Sequence, residues 1–152
     1  MKEAPDTSVE LRARALRLLA RREHSRAELG RKLASRAESP DALESLLDSL
    51  EQKKQLSNER FAVERARVLS RKFGAARIRQ DLKAKGVDPE LVGLIGNQSA
   101  EGELERARAI LERKYREPVA TREERAKRMR FLQSRGFSSE IIFRLLSARD
   151  AV

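Results

Sequence analysis

The chain has 152 residues and no cysteine, which excludes disulfides, thiolate metal sites and thiol chemistry. Lys and Arg number 34 against 24 Asp and Glu, a formal net charge of +10 that favours a polyanionic partner. No apolar run approaches the roughly 20 residues needed to span a bilayer, and no signal-peptide pattern opens the chain, so a cytoplasmic protein without a membrane anchor is expected.

Apolar residues recur at helical spacing almost throughout and no stretch alternates for long at period two, so the chain reads as all-α. Met1 to Asp6 reads as a frayed end. Thr7 with Glu10 forms a capping box that opens a helix carrying Leu11, Leu16, Leu18 and Leu19. Ser25 with Glu28 forms a second box, before Leu29 and Leu33. Ser39-Pro40-Asp41 is an N-cap, a proline at the first helical position and an acid near the positive end of the macrodipole. Leu43, Leu46, Leu47 and Leu50 form the apolar face that follows. From about Ser57, a helix with Phe61, Arg65, Val68 and Leu69 is expected to end near Gly74, which occupies the place of Ser25. Ile78 and Leu82 repeat Leu29 and Leu33. Gly86 permits a left-handed stop, and Asp88-Pro89-Glu90 restarts a helix that Gly93, Gly96 and Asn97 should keep short. A helix from about Ala100 to Tyr115 is broken by Glu117-Pro118, and Thr121 with Glu124 opens the next, which carries Phe131 and Leu132. Arg135-Gly136-Phe137-Ser138 and Ile141 to Leu146 close the pattern. Phe61, Phe131 and Phe137 read as core.

The same short pattern is thus written three times. Leu33, Leu82 and Leu132 lie 49 and 50 residues apart, each followed six residues on by an N-cap, Ser39, Asp88 and Ser138. Leu46, Ile95 and Leu145 are the matching anchors of the last helix. Gly86 and Gly136 sit four residues past their leucines, where the first copy has Ala37, so a longer or looser turn is expected there. The expected architecture is an elongated tandem array of three three-helix repeats, residues 7–56, 57–98 and 99–149. A ridged helical surface rather than a pocket follows, and no heptad seam or spare apolar stripe calls for a second copy, so a monomer is expected.

Chemistry finds little support. His24 is the only histidine, Gly93-Leu94-Ile95-Gly96 lacks the lysine and Ser/Thr of a phosphate loop, and acids sit mainly at helix starts or beside arginines. A non-enzyme with no cofactor and no metal site is expected. The positive charge is clustered: nine Lys/Arg fall in each of residues 12–36, 60–85 and 113–135, on the first two helices of each unit and the joint between them. The last helix of each unit is poor in bases; residues 41–51 carry four acids and none. A turn followed by a helix resembles the DNA-reading helix-turn-helix. Here, however, the leading end of that helix carries Pro40, Asp41, Pro89, Glu90, Ser139 and Glu140, which offer few donors to bases. With only five Phe and one Tyr for stacking, nucleic-acid contact should be electrostatic, salt-sensitive and sequence-tolerant.

Four elements in register resemble the bacterial RecX family: Ser25-x-x-Glu28-Leu29 with Lys32-Leu33; Leu56 with Asn58-Glu59-Arg60-Phe61-Ala62; Gly74-x-x-Arg77-Ile78-x-x-x-Leu82-x-x-Lys85-Gly86; and Arg135-Gly136-Phe137-Ser138 with Ile142. The stretch Val63-Glu64-Arg65-Ala66 lacks the aromatic often found there. The resemblance implies tandem three-helix repeats and a modulator that binds the RecA–DNA filament, inhibiting its ATPase, strand exchange and co-protease activities. From the charge distribution, weak binding of single- and double-stranded DNA without sequence preference is expected as well. The candidate contact residues are Arg65, Arg67, Arg71, Lys72, Arg77, Arg79, Lys83 and Lys85 in the middle unit, then Arg22, Arg26, Arg125, Arg128 and Arg135. The competing reading is a sequence-nonspecific DNA- or RNA-binding helical protein unrelated to RecA.

Overall fold

A computed structural model describes residues 4–147. Among them lie nine α-helices and no strand: α1 (Ser8–Arg21), α2 (Arg26–Leu33), α3 (Pro40–Gln52), α4 (Asn58–Leu69), α5 (Ala75–Ala84), α6 (Pro89–Ala100), α7 (Glu103–Lys114), α8 (Arg122–Ser134) and α9 (Ser139–Ser147). Most begin where an N-cap oxygen meets a free amide. The side chains of Thr7, Ser25, Ser39, Ser57, Asp88 and Thr121 each accept from the amide three residues on. Only Thr7 and Glu10 complete the reciprocal box; Glu28 turns to Arg22 instead, and Glu124 accepts from the Ala120 amide.

Each helix trio encloses its own apolar cluster. Leu11, Ala15, Leu29, Leu33, Leu46, Leu47, Leu50 and Leu56 form the first. Phe61, Ala62, Ala66, Ile78, Leu82, Val87 and Ile95 form the second, and Ala107, Ile110, Leu111, Leu132, Phe137, Ile142, Leu145 and Leu146 the third. The repeat-defining Leu33, Leu82 and Leu132 are each 0% exposed, at the centre of their units. The chain exposes 10170 Å², against about 7,800 Å² for a compact monomer of its mass. The array is elongated.

The units join through their middle helices, end to end. The Ser25 hydroxyl, at the N-terminus of α2, donates to the Lys85 carbonyl at the C-terminus of α5 (2.7 Å). One unit on, the Gly74 amide at the start of α5 donates to the Arg135 carbonyl at the end of α8 (2.8 Å). Positive and negative helix ends thus face each other at both joints. Gly86 and Gly136 hold φ of +80° and +87°, and a Cβ on either would lie 2.5 Å from the Cβ of Ala27 or Arg77 across the joint. Their absent side chains therefore serve inter-unit contact as well as the helix stop. Ala37 fits the same logic: in the first unit the Arg36 carbonyl is met by the Asp6 amide rather than by another unit's helix start, and the turn runs through a 3₁₀ segment, Ala34–Arg36, into extended backbone without glycine. Arg106 of α7 adds a second tie, donating to the carbonyls of Ser70, Ser99 and Glu101 at the ends of α4 and α6.

Several expectations are corrected. Asp6 is not frayed: its amide donates to the Arg36 carbonyl (2.8 Å), the place a preceding unit would occupy, and its carboxylate pairs with Arg14 and Arg36. Residues 1–3 of that expected frayed end, and 148–149 of the third repeat, lie outside the described residues. α6 runs twelve residues despite its glycines: Ile95, Leu91 and Val92 pack it onto the core of the second unit, and Arg79 lies across Gly96 to reach Asn97 Oδ1 (3.2 Å). α4 stops at Leu69, and Gly74 instead caps α5. Ala100 ends α6 rather than opening α7.

Three buried titratable groups make acid stability predictable. His24, 1% exposed, donates from Nδ1 to the Arg22 carbonyl and accepts at Nε2 from Lys32, an arrangement only the neutral ring satisfies. Burial, with the charges of Arg22 and Lys32, lowers its pKa from 6.5. Hydrogen bonds from Arg14 and Arg36 lower Asp6 from 3.8 to about 2, and the Arg22 fork lowers Glu28 from 4.5 to about 2. All three are depressed, so each contribution is complete above the unfolded pKa and is lost as pH falls towards the folded one. Thermal unfolding followed by circular dichroism should show constant stability above pH 7, a first decline below about 6.5 and a second between about 4.5 and 2. His24→Gln should abolish the first step alone; persistence of that step would remove His24 as its source.

Candidate functional site

The candidate cations divide by whether the fold neutralises them. Arg22 forks onto Glu28 (3.0 and 2.8 Å), and Arg65 onto Asp81 (2.9 and 3.1 Å). Arg67 pairs with Glu64 on its own exposed helix face, where solvent screens the attraction. Arg26 is held by Glu44, Asp48 and Glu51, three acids on one face of α3, and its pKa is pushed up by them. The acids that make the last helix of the first unit base-poor thus serve the arginine beside them.

Arg128 is corrected outright as a surface contact. It is 5% exposed, stacks over Tyr115 (4.7 Å) and donates to the Glu117 carbonyl (2.7 Å). Arg79 lies across Gly96. Arg125 is half-buried on α8, and Lys83 is exposed on α5. Lys85 borders a cavity of about 310 Å³ between the first two units, with Arg22, Glu23, Glu28, Phe61, Glu64, Arg65 and Val68.

The remaining candidates gather at the joint between the second and third units. Arg71 and Lys72 follow α4, and Arg135 caps α8. They line a groove of about 290 Å³ with Ile110, Arg113, Lys114 and Phe131, and no carboxylate. Arg135 stacks on Phe73 (5.4 Å) and Phe131 (5.1 Å), Arg77 covers Phe73 (5.0 Å), and Lys114 sits over Phe131 (4.6 Å). The rings hold the cationic heads in place. Arg113 and Lys114 escape sequence reasoning as contacts because only the joint brings α7 against the end of α4, where Arg113 donates to the Arg71 carbonyl (3.1 Å). Among the described residues no three metal-ligating side chains converge, and no helix is long and apolar enough to cross a membrane.

The comparisons match this architecture unit by unit. Family models for the first, second and third three-helix domains of RecX match residues 12–50, 57–93 and 101–146. The chain belongs to the RecX family. It is 44% identical to the regulatory protein RecX of Ralstonia nicotianae over 148 residues, 97% of this chain and 93% of that one. It is 45% identical to the regulatory protein RecX of Herbaspirillum seropedicae over 138 residues, covering 91% and 90%. The crystal structure of RecX from Lactobacillus salivarius superposes with a TM-score of 0.81 at 20% identity, over 95% of this chain and 97% of that one. These relatives are named as regulators, and the RecX assignment carries a regulatory role.

Proposed function

We propose that this RecX-family protein is a modulator of RecA recombinase that binds the RecA–DNA nucleoprotein filament and suppresses its ATPase, strand exchange and co-protease activities. Family membership carries the reading. The elongated array, studded with cations and jointed end to end, supports it, because such a body can bridge neighbouring subunits of a helical filament. Bridged subunits resist the motion that ATP turnover requires, so the mechanism is steric and electrostatic and needs no chemistry of the protein's own. We place the protein in the cytoplasm, as a monomer.

Single-strand-dependent ATP hydrolysis by RecA, titrated with this protein at physiological salt, tests the proposal. Hydrolysis should fall at well below one protein per RecA subunit. Undiminished hydrolysis at one protein per few RecA subunits would overturn it and leave the competing reading of a nucleic-acid binder unrelated to RecA.

A further inference from the structure

We infer that the groove between the second and third units holds a nucleic-acid sugar–phosphate backbone, and that its counterpart between the first and second does not. The two grooves are the same construction. The joint bonds match Ser25 with Gly74 and Lys85 with Arg135, and the first-helix N-caps match Ser57 with Gly102. In that register Arg22 corresponds to Arg71, Arg65 to Ile110, and Val68 to Arg113. The carboxylates differ. Glu23, Glu28, Glu64 and Asp81 of the first joint are replaced by Lys72, Arg77, Ala109 and Phe131 in the second. One groove balances its charge internally; the other holds Arg71, Lys72, Arg113, Lys114 and Arg135 with no carboxylate in its wall. None of these five pairs with an acid among the described residues.

Three helix C-termini, those of α4, α7 and α8, meet beside this groove, each worth roughly half a negative charge. Together they offset about one and a half of five full positive charges, so an excess remains for a partner. The cations are spread over those three helix ends along an open groove, which suits successive phosphates of a polymer rather than one small anion. Arg135 lies over two rings, Phe73 and Phe131, which reduces the ordering its guanidinium must undergo to engage a phosphate. An acidic protein surface fits less well. Protein interfaces are anchored by apolar and aromatic side chains at a charge-depleted centre. Here Ile110 is 7% exposed and the Phe131 ring is covered by cations. Contacts from these cations to phosphates fix position without carrying sequence information, so binding should depend little on sequence.

The assignment deepens the proposed function but is tested separately from it, by fluorescence anisotropy of the full chain with labelled single-stranded and duplex oligonucleotides of mixed sequence over a salt series. Arg71→Glu/Lys72→Glu should weaken both complexes at least tenfold and make the salt dependence shallower by about two phosphates. Arg113→Ala/Lys114→Ala should weaken them in the same direction. Lys53→Glu/Lys54→Glu, an equal charge change outside the groove, should cost under threefold. Equal losses in the two charge-reversal variants, no binding by the parent chain, or competition by polyglutamate as effective as by oligonucleotide would each overturn the assignment. RecA ATPase measured with the same variants separates the two ideas. Inhibition without oligonucleotide binding sinks the groove alone, and oligonucleotide binding without inhibition sinks the RecA reading alone.

Discussion

Gly136→Ala should destabilise the protein by about 2–5 kcal/mol, far more than a glycine-to-alanine change at an ordinary surface turn. Two separable effects add. An L-residue at φ +87° pays roughly 1–2 kcal/mol for the left-handed conformation. The new Cβ would also lie 2.5 Å from Arg77 Cβ and 2.7 Å from its backbone nitrogen. Backbone cannot swing away as a flexible side chain can, so the joint must open, an overpacking cost of about 1–3 kcal/mol. Opening it strains the neighbouring bond from the Gly74 amide to the Arg135 carbonyl. Gly102 supplies the control: it holds φ +70° with nothing within 4 Å of its would-be Cβ. Gly102→Ala should therefore show the conformational cost alone, about 1–2 kcal/mol. Urea unfolding followed by circular dichroism measures both. Equal costs for the two variants would mean that the joint is not closely packed at Gly136.

How much of this was legible in the sequence follows the range of the interactions. The three leucines, the N-caps, the prolines at Pro40 and Pro89 and the all-helical class are set by neighbours within a turn or two, and sequence spacing reports them directly. Charge neutralisation is not local. Arg65 meets Asp81 across 16 residues, Arg26 meets Glu51 across 25 and Arg60 meets Glu23 across 37, so counting bases along the chain cannot separate occupied cations from available ones. Arg128 shows the failure plainly, since its position in a basic run suggested a surface while Tyr115 and Glu117 hold it inside. Asp6 obeys the same rule, its partners Arg14 and Arg36 coming together only once the first unit is closed. The cationic groove was half legible. Arg71, Lys72 and Arg135 stood out, but Arg113 and Lys114 fall in a helix whose register is shifted by the longer connection from α7 to α8, so the 50-residue spacing does not align them with the first joint.

Leu82→Ala should cost about 3–5 kcal/mol and, unlike its counterparts, should loosen the whole array. Leu82, Leu33 and Leu132 are all 0% exposed, so each truncation leaves a comparable cavity and carries a similar intrinsic loss. Position in the array makes the difference. In a linear repeat, stability is a sum of unit terms and nearest-neighbour joints. The second unit alone takes part in two joints: α5 donates from Gly74 at one end and accepts from Ser25 through the Lys85 carbonyl at the other. Melting it removes both interfaces at once and leaves two isolated units of about 50 residues, each too small to hold together well. Melting the first or third unit removes one joint and leaves a coupled pair. Urea titrations should accordingly show one cooperative transition at lower denaturant for Leu82→Ala. Leu33→Ala and Leu132→Ala should each show an early partial transition followed by a later one. Amide exchange locates the order, with protection in α2 and α8 lost together in the Leu82 variant and separately in the other two. Native-like protection of α2 and α8 in Leu82→Ala would show that the joints transmit little. Stiffness of the array passes through both joints, and the middle unit is where the two are tied together.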